Sequence, residues 1–305
     1  MNTPVGKMQF ILDAAKKYPR IPVAIVDAGE PHILKGIMES ERAGLVDPIF
    51  IGQTSRIHAV AKQLSINLEG RQIIQANSDA ESSEVAVDLV GQEKVCALAK
   101  GWIHTDTLMH AVLGKLRTAQ RISHVFIAEL PTYHKLLFIT DAAININPDM
   151  MTKAAIVQNA VDLARMLDVE LPKVAALSAV EVVKPAIPST VDAACLSVMS
   201  KRGQIENAVV DGPLAFDNAI SCDAAQTKKI SSEVAGDVDI LLAPDIDAAN
   251  ILSKDLEYLA GATMAGIVVG ARVPVILTSR SDPAEARLLS AALAVLMHYR
   301  WFATT

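Results

Sequence analysis

The residues best placed to do chemistry lie near the carboxyl end, in the run Val273-Pro-Val-Ile-Leu-Thr-Ser-Arg-Ser-Asp-Pro-Ala-Glu-Ala-Arg287. Residues 273–278 have the make-up of a buried strand. Asp282, Pro283 and Glu285 read as N-cap, first helical residue and third-position acid of the helix that follows. Ser279 and Arg280 then occupy a short loop between a strand's carboxyl end and a helix N-terminus, where open α/β sheets place ligands. Free N–H groups and the helix dipole attract an anion there, and the Arg280 guanidinium adds a bidentate donor for phosphate. The plainer reading makes Ser279 and Arg280 solvated loop residues, and gives Asp282 and Glu285 a capping role alone.

Further polar loops follow other strand-like runs. Lys100-Gly101-Trp-Ile-His-Thr105 comes after the run 95–98. Gly101 permits close backbone approach and Lys100 offsets an anionic ligand, while Thr105 or Asp106 alternatively only caps a helix. Asp141 and Asn145 stand after the run 136–139, and Asn250 ends Pro244-Asp245-Ile-Asp247-Ala-Ala-Asn250, where Asp245 or Asp247 is a capping candidate. Arg117 and Arg121 are spaced to reach a phosphate, although such an i,i+4 pair is more often solvated. Each loop is a weak signal alone. Together they suggest one cleft.

The elements that must hold these loops are short apolar runs. They lie at 23–26, 48–51, 95–98, 124–128, 136–139, 174–177, 208–210, 239–243 and 273–277. Helical spacing of apolar residues appears at 31–43, 151–166, 250–259 and 283–298. Such alternation predicts an α/β fold with a mainly parallel sheet. The runs 124–128 and 136–140 are separated by the short turn Pro131-Thr-Tyr-His-Lys135, which cannot hold a crossover helix, so they read as a hairpin or an exchange between sheets.

Composition narrows the function. The chain has 305 residues, 51% hydrophobic and 4% aromatic, with a formal charge of −6. Length suggests two domains or one large α/β unit. The negative charge argues against nucleic acid, whose phosphates are held by clustered cations. Three scattered cysteines, Cys96, Cys195 and Cys222, argue for a reducing compartment and against a disulfide framework. The first residues lack a signal-peptide pattern, and the weakly polar stretch 259–271 is too short to span a membrane. A cytoplasmic protein acting on a small molecule is expected. GxGxxG, GxxxxGK[ST], CxxC, HExxH and GxSxG are all absent, which lowers the odds of dinucleotide, NTP, metal and serine-hydrolase chemistry.

Several segments, in order, are similar to one family. They are Gly44 to Gly52, Ser123 through Thr140-Asp-Ala-Ala-Ile-Asn-Ile-Asn-Pro-Asp149, Ala208-Val-Val-Asp-Gly-Pro-Leu-Ala-Phe-Asp-Asn-Ala-Ile-Ser221, Leu241 to Lys254, Leu259 to Ala262, Gly266 to Gly270 and Pro274 to Asp282. This set resembles the phosphate acetyltransferase/phosphate butyryltransferase family from about residue 20 onward. The resemblance implies two α/β/α domains with mainly parallel sheets and an interdomain cleft, as in isocitrate/isopropylmalate dehydrogenases. The first domain would comprise 1–133 plus 270–305 and the second 134–269. It also implies a homodimer or higher homo-oligomer, acyl-CoA and phosphate as substrates, coenzyme A as product, and no metal or other cofactor.

Under that resemblance Ser279 and Arg280 fall on an active-site Ser-Arg pair. Arg280 would stabilise developing charge and Ser279 would bond the thioester or thiol region. The acetyl branch carries an Asp seven residues after that Ser, proposed as the thiol base. Here that position is Ala286, which leaves Asp282 or Glu285 as substitutes by proximity. Lys100, Thr105, Arg117, Asp141, Asn145 and Asn250 would bind substrate. The spelling Thr-Ser-Arg-Ser-Asp-Pro-Ala-Glu and the short chain look more like the butyryl branch. Phosphate butyryltransferase is therefore the expected activity. Phosphate acetyltransferase is the alternative, ahead of a non-catalytic acyl-CoA-binding module or a metal- and nicotinamide-dependent dehydrogenase.

Overall fold

The computed structural model describes residues 6–279 and 282–302. The chain divides into two compact units, one running to Ile122 and resuming at Ala265, the other Ser123–Met264. The breaks precede the boundaries expected at 133/134 and 269/270. The physical reason for the first is the hairpin, because β5 (Ser123–Glu129) and β6 (Leu136–Thr140) pair antiparallel over five residues and stay together. The second break falls inside a strand, β10 (Thr263–Val269).

The first unit opens with α1 (Lys7–Ala15), β1 (Ile21–Val26), α2 (Pro31–Arg42), β2 (Val46–Gly52), α3 (Thr54–Gln63), β3 (Ile73–Gln75), α4 (Asp79–Gly91), β4 (Ala97–Lys100) and α5 (Thr105–Lys115). After β10 it continues with β11 (Val275–Ile276), α11 (Ala284–Leu296) and a π-helical turn, Met297–Phe302. Its strands lie in the order β3-β2-β1-β4-β11-β10. All neighbours are parallel except β10 and β11. The chain moves outward from β1 to β3 and then returns to place β4 on β1's other side. Right-handed crossovers therefore put α2 and α4 on opposite faces, and the strand order reverses between β1 and β4, the position where open α/β sheets place ligands.

The second unit contains β5, β6, α6 (Met150–Met166), β7 (Lys173–Leu177), α7 (Pro188–Lys201), β8 (Val209–Leu214), α8 (Phe216–Ile220), α9 (Cys222–Thr227), β9 (Ile240–Leu242) and α10 (Ile246–Tyr258). Strand order is β5-β6-β9-β7-β8, parallel apart from the hairpin. β1, β4 and β9 are buried almost throughout, which is why, Pro22 and Lys100 apart, they read as Val, Ile, Leu and Ala rather than as an alternation.

Two strands had no expectation. β3 is three residues with a polar end, and β10 carries Gly266 in mid-strand and lies within the stretch 259–271, where Gly261 and Gly270 flank it. β4 starts two residues later than expected, so Lys100 is its last residue and not a loop residue. Of residues 273–278 only Val275 and Ile276 join the ladder. No helix among the described residues is long and apolar enough to cross a membrane.

Candidate active-site loops

In the first unit three loops converge because their strands are neighbours. Val26 pairs with Lys100 and Ile276 with Ala99, so residues 27–30, 100–104 and 277–279 emerge side by side. The first two loops are tied together. Gly101 N–H donates to the Val26 carbonyl and Trp102 N–H to the Asp27 carbonyl, both at 2.9 Å. Any side chain at Gly101 would collide with the Asp27 carbonyl, so this approach requires glycine. Lys100 is 7% exposed at the floor of this group. Thr105 is half-buried in the first turn of α5, but His104 is the N-cap and makes no side-chain cap bond. The capping role expected of Thr105 or Asp106 is therefore not realised.

The third loop carries Ser279. Its N–H donates to Asp282 Oδ2 at 2.6 Å. Its carbonyl accepts from Arg287 Nη2 at 2.9 Å, and Arg287 Nη1 donates to the Thr278 hydroxyl at 2.7 Å. Asp282 is thus not the helix cap that its spacing suggested. The N-cap is Pro283, with extended ψ 164° and no side-chain cap bond, and the carboxylate is turned back onto the loop. Glu285 is exposed in the first turn of α11. Arg280 lies outside the described residues.

Arg287 was not foreseen. It is 4% exposed on the first turn of α11, where the helix dipole disfavours a cation. Burial lowers its pKa, and the nearby Asp282 and Glu30 carboxylates oppose that shift. Glu30 itself caps α2, accepting from the N–H groups of His32 at 2.9 Å and Ile33 at 3.2 Å. The sequence signal was legible in principle: a basic residue at the start of an otherwise apolar helix needs a specific partner. Asp27, at φ 58° after β1, and Arg56, whose Nη1 lies 3.9 Å from Asp27 Oδ2, were also missed.

Arg117 does not join this group. It follows α5, which runs back from the carboxyl end of β4, and its backbone bridges Ala271 ahead of β11. The eleven residues of α5 separate it from Lys100 by about 16 Å along the helix axis. Its expected place beside Lys100 is therefore corrected: it is exposed at the opposite end of the strands.

In the second unit the loops after β6 and β9 meet. Asp141 is 4% exposed and gathers the N–H groups of Ala143 and Ile144 at 3.0 Å and of Asn145 at 3.2 Å. The Asn145 amide adds a fourth bond at 2.6 Å. Burial pushes the Asp141 carboxyl up from its ordinary value, against these donors. Asn250, on α10, donates to the Ala142 carbonyl at 3.3 Å, and Asp245 caps α10 through the Ala248 N–H at 2.8 Å. The structure so brings Asp141, Asn145 and Asn250 into one cluster. Nearby, at the ends of β7 and β9, the unforeseen pair Lys153–Asp192 closes at 2.7 Å on a cavity of ≈ 10 Å³. Among the described residues, no group of three or more His, Cys, Asp or Glu is arranged to hold a metal ion.

The profile of the family described as "Phosphate acetyl/butaryl transferase" matches residues 81–295. A phosphate acetyltransferase of Rickettsia typhi is 49% identical over 91% of this chain and 81% of its own. A phosphate butyryltransferase of Clostridium beijerinckii is 39% identical over 95% and 97%. The crystal structure of a branched-chain phosphotransacylase from Enterococcus faecalis superposes with a TM-score of 0.78 at 33% identity, covering 92% of this chain and 99% of the other. A 4-hydroxythreonine-4-phosphate dehydrogenase from Klebsiella pneumoniae, at a TM-score of 0.55 and 11% identity over 92% and 99%, shares the fold alone.

Proposed function

Since the chain belongs to the phosphate acetyl/butyryltransferase family and is a phosphate acyltransferase, we propose that its preferred reaction is butyryl-CoA plus phosphate giving butyryl phosphate plus CoA. A phosphate oxygen attacks the thioester carbonyl, a tetrahedral oxyanion forms, and its collapse breaks the C–S bond and releases the CoA thiolate. The observation that carries this reading is the Ser279 loop, fastened at a strand end by Asp282 on one side and Arg287 on the other. A loop held in that way fixes the position of Ser279, and a group already in place stabilises developing charge without reorganising during the reaction.

In this proposal Arg280 stabilises the developing charge and Ser279 hydrogen-bonds the thioester or thiol region. Lys100 supplies positive charge from the end of β4, and Thr105 lies at the α5 N-terminus, where N–H groups favour an anion. In the second unit Asn250 is proposed to meet substrate, on a loop cluster whose backbone Asp141 and Asn145 hold. Asp282 or Glu285 exchanges the proton of the CoA thiol. Coenzyme A enters as substrate or product, no further cofactor is invoked, and the working assembly is a homodimer in the cytoplasm.

The butyryl preference is supported by the spelling of residues 278–285 and the length of the chain. A second reading, acetyl-CoA as the preferred substrate, is favoured by the 49% identity to the Rickettsia typhi acetyltransferase. A panel of kcat/KM values for acetyl-, propionyl-, butyryl- and isobutyryl-CoA, followed by phosphate-dependent loss of thioester absorbance, separates them. One methylene in a pocket is worth about 1–3 kcal/mol, so the winning substrate should lead by tenfold or more, roughly. No turnover of any of the four would sink the proposal. Light scattering on the eluting protein tests the dimer.

A further inference from the structure

We propose that Arg287 is a positioning residue for the reaction: its buried guanidinium, its stem accommodated by Gly36 of α2, sets the conformation of Thr278–Ser279 after β11. This rests on the reading of the Ser279 loop as the acyl-transfer site.

Arg287 reaches back from the first turn of α11 to a loop eight residues earlier. One arm takes the Thr278 hydroxyl at 2.7 Å and the other the Ser279 carbonyl at 2.9 Å. On the opposite side of the same residue, the Ser279 N–H is taken by the Asp282 carboxylate at 2.6 Å. Both backbone polar groups of Ser279 are therefore held by opposite charges. That leaves the serine little freedom to rotate its peptide planes. Donors of this kind in a desolvated place are strong, and a planar guanidinium fixes two acceptors at once where an ammonium fixes one.

The geometry also explains a glycine inside α2. A Cβ built at Gly36 would stand 2.6 Å from Arg287 Cδ and 3.5 Å from its Cβ. The clash is with the middle of the side chain, so an added methyl would have to displace the guanidinium. Helix propensity by itself favours Ala over Gly at an interior position such as this. Gly36 is best understood as room for the arginine stem.

Three full-length variants test the assignment, with wild type measured alongside. Gly36→Ala touches no loop residue and should keep α2 intact while shifting Arg287. Arg287→Lys keeps a cation but can serve only one of the two acceptors. Thr278→Val removes one acceptor at constant shape. The expected result is a fall in kcat of about a hundredfold for Arg287→Lys, the scale on which ångström-level misplacement acts, and about tenfold for Gly36→Ala and for Thr278→Val. KM for acyl-CoA and for phosphate should stay within about threefold in each, because nothing that binds them is removed. Unchanged kcat in Gly36→Ala and Arg287→Lys overturns the inference. So does a rise in KM that accounts for the loss, or a loss that merely follows the folded fraction in thermal unfolding. Absence of turnover in wild type would instead overturn the acyltransferase reading itself, so the two failures are distinguishable.

Discussion

The loop after β11 and the loop after β6 solve the same problem with opposite charges. Each must hold an irregular backbone at a buried strand end. In the second unit one carboxylate, Asp141, draws three backbone N–H groups and an amide inward. In the first unit a guanidinium, Arg287, holds a carbonyl and a hydroxyl, and a carboxylate, Asp282, holds the N–H. Both charges are costly to bury, and burial moves the pKa of each toward its neutral form. The difference lies in what remains. The Asp141 turn consumes its own N–H groups and so serves as a brace. The Ser279 clamp fixes the serine's own backbone from both sides, at the residue that the proposed reaction uses.

The comparison predicts that damage to the first loop shows in turnover and damage to the second in stability. The largest effect is expected from Arg280→Ala, a loss in kcat of about a hundredfold or more, the usual result of removing an oxyanion donor, with an unfolding midpoint close to wild type. An unchanged rate would remove Arg280 from the mechanism. Asp141→Ala should cost about 3 kcal/mol in urea unfolding, because several buried donors lose their acceptor at once. If it instead lowered kcat at full stability, the contrast between brace and clamp would fail.

Smaller effects sharpen the picture. Asp237, beyond the hairpin, meets Lys135, Lys173 and His134 at 2.6–2.8 Å. Burial pushes its carboxyl up, but the three donors outweigh that and hold it well below the usual carboxylate range. A depressed carboxylate contributes stability above its unfolded value near pH 4, and that contribution disappears as pH falls through the folded value. Asp237→Asn should therefore lower the melting temperature by about 2 °C at neutral pH, in keeping with a partly exposed ion cluster, and the gap to wild type should close in acid. A gap that widened in acid would reverse the sign of the argument. Last, Arg117→Ala should change kcat/KM by less than about twofold, as for a surface substitution remote from the loops. A tenfold loss would return Arg117 to the site.

Part of the loop geometry was legible locally. Asp141 and Asn145 stood out as an acid and an amide at one strand end, Asp245 was one of two capping candidates with Asp247, and each bond they make spans four residues or fewer. Lys100 was found, but as a loop residue, because nothing in Val95-Cys96-Ala97-Leu98-Ala99-Lys100 marks where the ladder with β1 begins. Asp282 was misread because its spacing from Glu285 fits a capping box, whereas Pro283 delays the helix and the carboxylate finds a nearer N–H on Ser279. Arg117 was misplaced because a strand-end motif carries no distance, and α5 lies between it and Lys100.

By itself the sequence determined the α/β class, because apolar periodicity is a property of neighbouring residues, and the family, because an ordered set of motifs resembles it. The tertiary structure alone decided which of those loops share a strand edge, that Gly36 makes room for Arg287, and that a carboxylate three residues after Ser279 holds its backbone rather than a helix. The strand-edge neighbours and the Gly36–Arg287 approach join residues whose separation in the chain says nothing about their separation in space, and the Asp282 bond depends on where the helix starts, which the short-range pattern left open.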